Sequence, residues 1–207
     1  MIVLKIARTA AWGGSAILVA VLIAGYYMAP SGREHPTQST HDRGIPSIGG
    51  PFELVSHKGK RFTHADVAGK AYLVFFGFTH CPDVCPTTLS ELTILMDDLG
   101  ADADRVTPIM ITVDPERDTQ KILSEYMSSF DSRIVALTGT PQQTEAAVKA
   151  FKAYYKKVPL DGGEYTMDHT AGIYMMSAAG AFVGTLDMHE PQDIRLRKLR
   201  RLVDRER

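Results

Sequence analysis

Cysteine is scarce in this chain: Cys81 and Cys85 are the only two among 207 residues. Both sit in one local motif, which excludes a scaffold stapled by bridges between distant loops. An excess of either charge is also missing. Lys and Arg number 23 against 24 Asp and Glu, a formal net charge of −1, so no basic field points to a nucleic-acid partner. No internal repeat appears. What the chain does have is apolar content, 44% of residues, enough for one core after part of it is spent on a single N-terminal run.

That run is residues 10–29, almost wholly apolar and set within an uncharged stretch, residues 9–32. Twenty helical residues at about 1.5 Å each reach roughly 30 Å, the thickness of a bilayer core. Trp12 near one end and Tyr26 and Tyr27 near the other suit its two interfaces. A cleavable signal peptide is the competing reading, because Lys5 and Arg8 precede the run. The run is longer than the usual h-region, and no small-residue cleavage site follows it. Lys5 and Arg8 against Arg33 and Arg43 favour a cytoplasmic N-terminus. The expected organisation is a short cytoplasmic segment (residues 1–9), a transmembrane anchor (10–29), a flexible Pro/Ser/Thr/Gly-rich linker (30–48) and a folded extracytoplasmic domain (49–207). His35 and His41, in the linker, read as solvated.

The domain is organised around Phe75-Phe76-Gly77-Phe78-Thr79-His80-Cys81-Pro82-Asp83-Val84-Cys85-Pro86. An apolar run rich in Val, Phe and Tyr leads into it and suits a buried strand over residues 71–78. Pro86 can take the first position of a helix, which would make Cys85 the N-cap and leave Cys81 in the turn before it. Both sulfurs would then stand at a helix N-terminus, where the macrodipole favours thiolate. Such a pair suits redox chemistry or a soft metal. A structural disulfide closing so short a loop would add little stability, and buried inert thiols fit poorly with two prolines and an Asp. The usual redox spacing is C-x-x-C, whereas three residues intervene here.

Downstream, Leu89, Leu92, Leu95, Met96 and Leu99 recur at helical spacing and stop at Gly100. Residues 52–55 and 60–62 flank a turn as a hairpin. Residues 105–113 read as a strand, 119–130 as a helix with Ile122, Leu123, Tyr126 and Met127 inward, and 134–137 as a short strand. Thr140-Pro141-Gln142-Gln143 has the form of a capping box opening a helix to about Tyr155. Residues 171–176 and 181–186 read as a second hairpin, and a basic helix over 191–204 ends the domain. Alternating strands and helices give an α/β layer structure.

The cysteine stretch, with Val113-Asp114-Pro115-Glu116-Arg117-Asp118-Thr119 and with Asp168-His169-Thr170 followed by Tyr174, resembles the Sco/SenC family. Gln120 in place of Pro and Ala178-Ala179-Gly180 in place of Pro-Asp-Gly depart from its pattern without touching a presumed ligand. The resemblance implies a thioredoxin-like domain behind a membrane anchor, in the periplasm or an equivalent space. It implies a copper carrier for cytochrome c oxidase assembly, delivering to the dinuclear copper site of subunit II. It also implies that Cys81, Cys85 and His169 bind copper, as Cu(I) or Cu(II), with Asp168 behind them tuning the position of the loop or of the ring. The alternative is a thiol–disulfide oxidoreductase that uses Cys81 and Cys85 to reduce the recipient's cysteines. A thioredoxin-like reductant or a second copper chaperone would be a further partner.

The remaining candidates have plainer readings. A single histidine at a strand edge is usually structural, and only the resemblance lifts His169 above that. His80 should point away from Cys81, and His57, His64 and His189 read as surface residues. Met167, Met175, Met176 and Met188 read as core filler, although thioether can bind Cu(I). The carboxylates of residues 114–118 could form a metal site, but a structural turn beside the cysteine loop explains them better.

Overall fold

The computed structural model describes residues 47–205. The expected anchor and nearly all of the linker lie outside them. Among the described residues, no helix is long and apolar enough to cross a membrane.

Among the described residues, nine strands and four α-helices follow in chain order. β1 (Glu53–Ser56) and β2 (Arg61–Thr63) form the first hairpin; β3 (Ala71–Gly77) leads into α1 (Val84–Leu99). β4 (Val106–Thr112), α2 (Gln120–Met127), β5 (Val135–Thr138) and α3 (Pro141–Ala150) follow. β6 (Tyr155–Pro159) and β7 (Tyr165–His169) pair only with each other. β8 (Ile173–Met176), β9 (Phe182–Leu186) and α4 (Gln192–Asp204) complete the domain.

The main sheet has the order β2-β1-β5-β4-β3-β8-β9. β3, β4 and β5 run parallel at its centre, while β1 and β8 are antiparallel to their neighbours. All seven residues of β3 are buried, as a parallel strand covered on both faces requires. The period of two divides them cleanly. Ala71, Leu73 and Phe75 pack with Leu89, Leu92, Leu123 and Leu199, so α1, α2 and α4 cover that face. Tyr72, Val74 and Phe76 pack with Val148, Phe151 and Tyr174 on the other. Each large side chain buried this way contributes roughly 1.5–3 kcal/mol.

The expected capping box is present: Thr140 Oγ1 accepts from the Gln143 amide at 3.2 Å, and Gln143 accepts from the Thr140 amide at 2.9 Å. Three local expectations need correction. α3 stops at Ala150 and Tyr155 opens a strand instead, because Lys152 takes a left-handed φ of 53° that ends the helical path. Ile122 faces solvent at 38% exposure while Leu123 is fully buried, since a helix of two turns presents only a narrow stripe to the sheet. The third concerns the start of α1.

Candidate metal centre

β3 ends at Gly77 and carries the chain into the cysteine turn, where the Cys81 amide donates to the Phe78 carbonyl at 3.3 Å. α1 then begins at Val84 with Asp83 as its N-cap. Pro86 is therefore the third helical residue and not the first. Proline is tolerated there because amides of the first turn have no acceptor within the helix. This shift moves Cys85 from the expected N-cap into the first turn, where it is only 1% exposed. Cys81 stays outside the helix and half-buried, and its Sγ accepts from the Cys85 amide at 3.5 Å.

Burial also reverses the expected charge state. The Cys85 thiol is pushed up to about 12, first by desolvation and then by the neighbouring Cys81 and Asp118. A helix N-terminus contributes about 1 kcal/mol, whereas burial can move a pKa by several units. Desolvation wins, and Cys85 is a neutral thiol until something displaces its proton.

His169 is the last residue of β7, opposite Tyr155 in the register of the β6–β7 hairpin. Its Nδ1 lies 3.0 Å from the Thr170 carbonyl. A carbonyl can only accept, so Nδ1 carries the hydrogen and Nε2 keeps its lone pair. That Nε2 lies 3.9 Å from Cys85 Sγ. The Phe78 ring meets the imidazole edge-on, with centroids 5.8 Å apart. Asp168 alternates to the other side of the strand and is exposed, so the group that orients the imidazole is the Thr170 carbonyl.

Among the described residues, no three His, Cys, Asp or Glu side chains form a closed metal-binding group. Cys81, Cys85 and His169 are neighbours grouped about Cys85. As a donor set, two sulfurs and one free imidazole nitrogen fit a soft ion such as Cu(I). The other histidines among the described residues stand apart. His80 is exposed and its Nδ1 contacts Thr79 Oγ1 at 3.1 Å. His64 and His189 are exposed, as expected. His57 is not a surface residue: it is buried, and its Nδ1 accepts from the Ala136 amide at 3.1 Å. Met167, Met175 and Met176 are buried in the core, and Met188 packs at its margin.

The loop after β4 is a turn, as its sequence leads one to expect. Its role lies in distant contacts. Asp118 is completely buried and accepts from the Thr79 amide at 3.0 Å, Thr79 Oγ1 at 2.5 Å and Thr112 Oγ1 at 2.6 Å. Burial pushes its carboxyl upward against these three donors. Asp114 accepts from Arg117 Nε and from the Tyr165 hydroxyl, the latter at 2.9 Å. The Asp-rich motif was the only sequence signal for these residues. Their partners, 39 and 51 positions away, were not readable from it.

The similarity of this chain to known proteins falls on the same region. Residues 40–204 match the family described as SCO1/SenC. The structure of Bradyrhizobium japonicum ScoI with copper bound is 44% identical, with a TM-score of 0.71 over 75% of this chain and 99% of that one. The human mitochondrial SCO1 homolog is 36% identical over 180 residues, 83% of this chain but 60% of its own length. This chain thus spans less than two thirds of that relative. BsSco, a Sco-family cytochrome c oxidase assembly protein with an identified disulfide switch, is 25% identical, with a TM-score of 0.62 over 77% of this chain and 95% of that one.

Proposed function

The chain belongs to the SCO1/SenC family, and from that premise we propose that it carries copper on Cys81, Cys85 and His169 for the assembly of cytochrome c oxidase. The observation that bears the most weight is the 3.9 Å approach of His169 Nε2 to Cys85 Sγ, with Nδ1 already committed to the Thr170 carbonyl. An imidazole held in this tautomer offers its lone pair to the same space as the sulfur. Copper bound by related proteins, among them the Bradyrhizobium japonicum one, supports the same reading.

As cargo, Cu(I) on two thiolates and one imidazole is three-coordinate and keeps a position for an incoming thiolate. Transfer would proceed by ligand exchange with no net redox change, so this is a carrier and not an enzyme. The recipient is the dinuclear copper site of subunit II. Residues 10–29 would anchor the chain in a membrane with the domain on the extracytoplasmic side.

A second reading is favoured by the free thiols of Cys81 and Cys85 and by the disulfide switch of BsSco. In it the two thiols reduce a disulfide on the recipient: the recipient gains two thiols, and Cys81 and Cys85 close a disulfide. One series of variants separates the readings. Replacing His169 by Ala should weaken copper binding and alter the Cu(II) charge-transfer spectrum, while the Cys81–Cys85 thiol–disulfide equilibrium survives. Cys81→Ser or Cys85→Ser should abolish both. A His169→Ala protein that binds copper like the parent, with the same spectrum, would leave the oxidoreductase reading in front.

A further inference from the structure

The β4–α2 loop, residues 113–119, supplies none of the three donors, yet it grips both segments that carry them. On one side, Asp118 takes three hydrogen bonds from Thr79 and Thr112. Thr79 stands two residues before Cys81, so this buried carboxylate holds the cysteine turn. On the other side, the adjacent Arg117 holds the hairpin that ends in His169. Its Nη1 donates to the Tyr165 carbonyl at 3.0 Å, and its guanidinium lies 3.7 Å from the centre of the Tyr165 ring. Its Nε donates to Asp114, which also accepts from the Tyr165 hydroxyl.

The hairpin needs such a hold. β6 and β7 share no ladder with the main sheet, so side-chain contacts must set their position against α1. Lys157–Glu116 is an exposed pair at 2.7 Å and contributes little. The Arg117–Asp114 pair, with Asp114 only 2% exposed and Arg117 18%, is the firmer tie. It combines a fork-shaped donor with a stacked aromatic face, an arrangement that lysine cannot reproduce.

We infer that residues 113–119 form a bracket in which Arg117 and Asp114 act as positioning residues, setting the separation of His169 from Cys85 by holding Tyr165 while Asp118 holds the cysteine turn. The inference rests on the three-donor copper reading and assigns the loop a role in that site.

The test uses the full chain and its variants Arg117→Ala, Arg117→Lys, Tyr165→Phe and His169→Ala, and Arg117→Ala combined with His169→Ala. The readouts are Cu(I) affinity by competition with a chromophoric chelator, the Cu(II) charge-transfer spectrum, and the Cys81–Cys85 thiol–disulfide equilibrium. Arg117→Ala should weaken copper binding by roughly 10–100-fold, the usual effect of losing a group that orients a ligand. Its Cu(II) spectrum should move toward that of His169→Ala, and its thiol–disulfide equilibrium should stay with the parent. Tyr165→Phe should move the same readouts less, and Arg117→Lys should not restore the parent.

The decisive arm is the double variant. If Arg117 acts through His169, its removal should cost no further affinity once His169 is gone. An Arg117→Ala loss of equal size in both backgrounds overturns the bracket, and so does parental copper binding by Arg117→Ala beside a weakened His169→Ala. Parental binding by His169→Ala is a different result: it removes the three-donor reading and the inference with it. If Arg117→Ala does not fold, Tyr165→Phe carries the same cycle.

Discussion

A β-carbon on Gly77 would lie 2.8 Å from the sulfur of Cys85 and 3.2 Å from Phe75 Cε2. Gly77 has no left-handed φ, so the need for glycine here is one of space. The strand end and the first turn of α1 approach so closely that only hydrogen fits between them. Gly77→Ala should therefore push Cys85 or the Phe75 ring aside and cost about 1–3 kcal/mol, the usual range for overpacking a core. Urea unfolding would measure the cost and copper titration the displaced sulfur. Parental stability together with parental affinity would contradict the geometry.

Copper uptake should release protons. Cys85 is a thiol in the metal-free protein, its pKa pushed up to about 12 by burial, and metal binds thiolate. Each displaced thiol proton makes the apparent affinity fall on the order of tenfold per unit drop in pH. Calorimetry in buffers of different ionisation enthalpy counts these protons. Loading that stays flat well below neutral pH, in protein still folded, would exclude thiolate ligation.

His57 should make stability depend on pH. Burial lowers its pKa from the ordinary 6.5, more than the backbone hydrogen bond with Ala136 raises it, and the neighbouring Lys58 adds to the lowering. The depressed folded value means that the unfolded chain takes up the proton first. The contribution of neutral His57 is thus fully present above about 6.5 and is lost as pH falls through the lower folded value. His57→Asn keeps an acceptor near the Nδ1 position and removes the titration. Urea midpoints between pH 5 and pH 7.5 should slope less for this variant than for the parent, and equal slopes would assign the effect elsewhere.

Removal of residues 1–30 should release the protein from membranes without loss of copper binding, because all three proposed ligands lie in the described domain. Membrane fractionation and copper titration of the two forms check this. A truncated protein that is folded but cannot bind copper would show that the N-terminal segment completes the site.

Much of the architecture was legible because its cues are local. The continuous apolar run of β3, the helical spacing from Leu89 to Leu99 and the capping box at Thr140 each act over a few residues, and each element formed where its pattern lies. The β6–β7 hairpin was not legible. Lys156 and Lys157 are exposed and the strand has no apolar alternation, because β6 joins no main-sheet face that would demand one.

The sequence by itself determined that two sulfurs four positions apart would lie where a buried strand turns into a helix, since strand, turn and helix all follow from neighbouring residues. It could not decide how those sulfurs are charged or what stands beside them. Cys85 became a buried thiol because the helix starts two residues earlier than its proline suggested, and desolvation depends on everything packed around it. His169 reaches Cys85 across 84 positions, and Arg117 and Asp118 acquire their partners, only once the chain has folded. Such distances are set by packing between separate elements, and no local pattern encodes them.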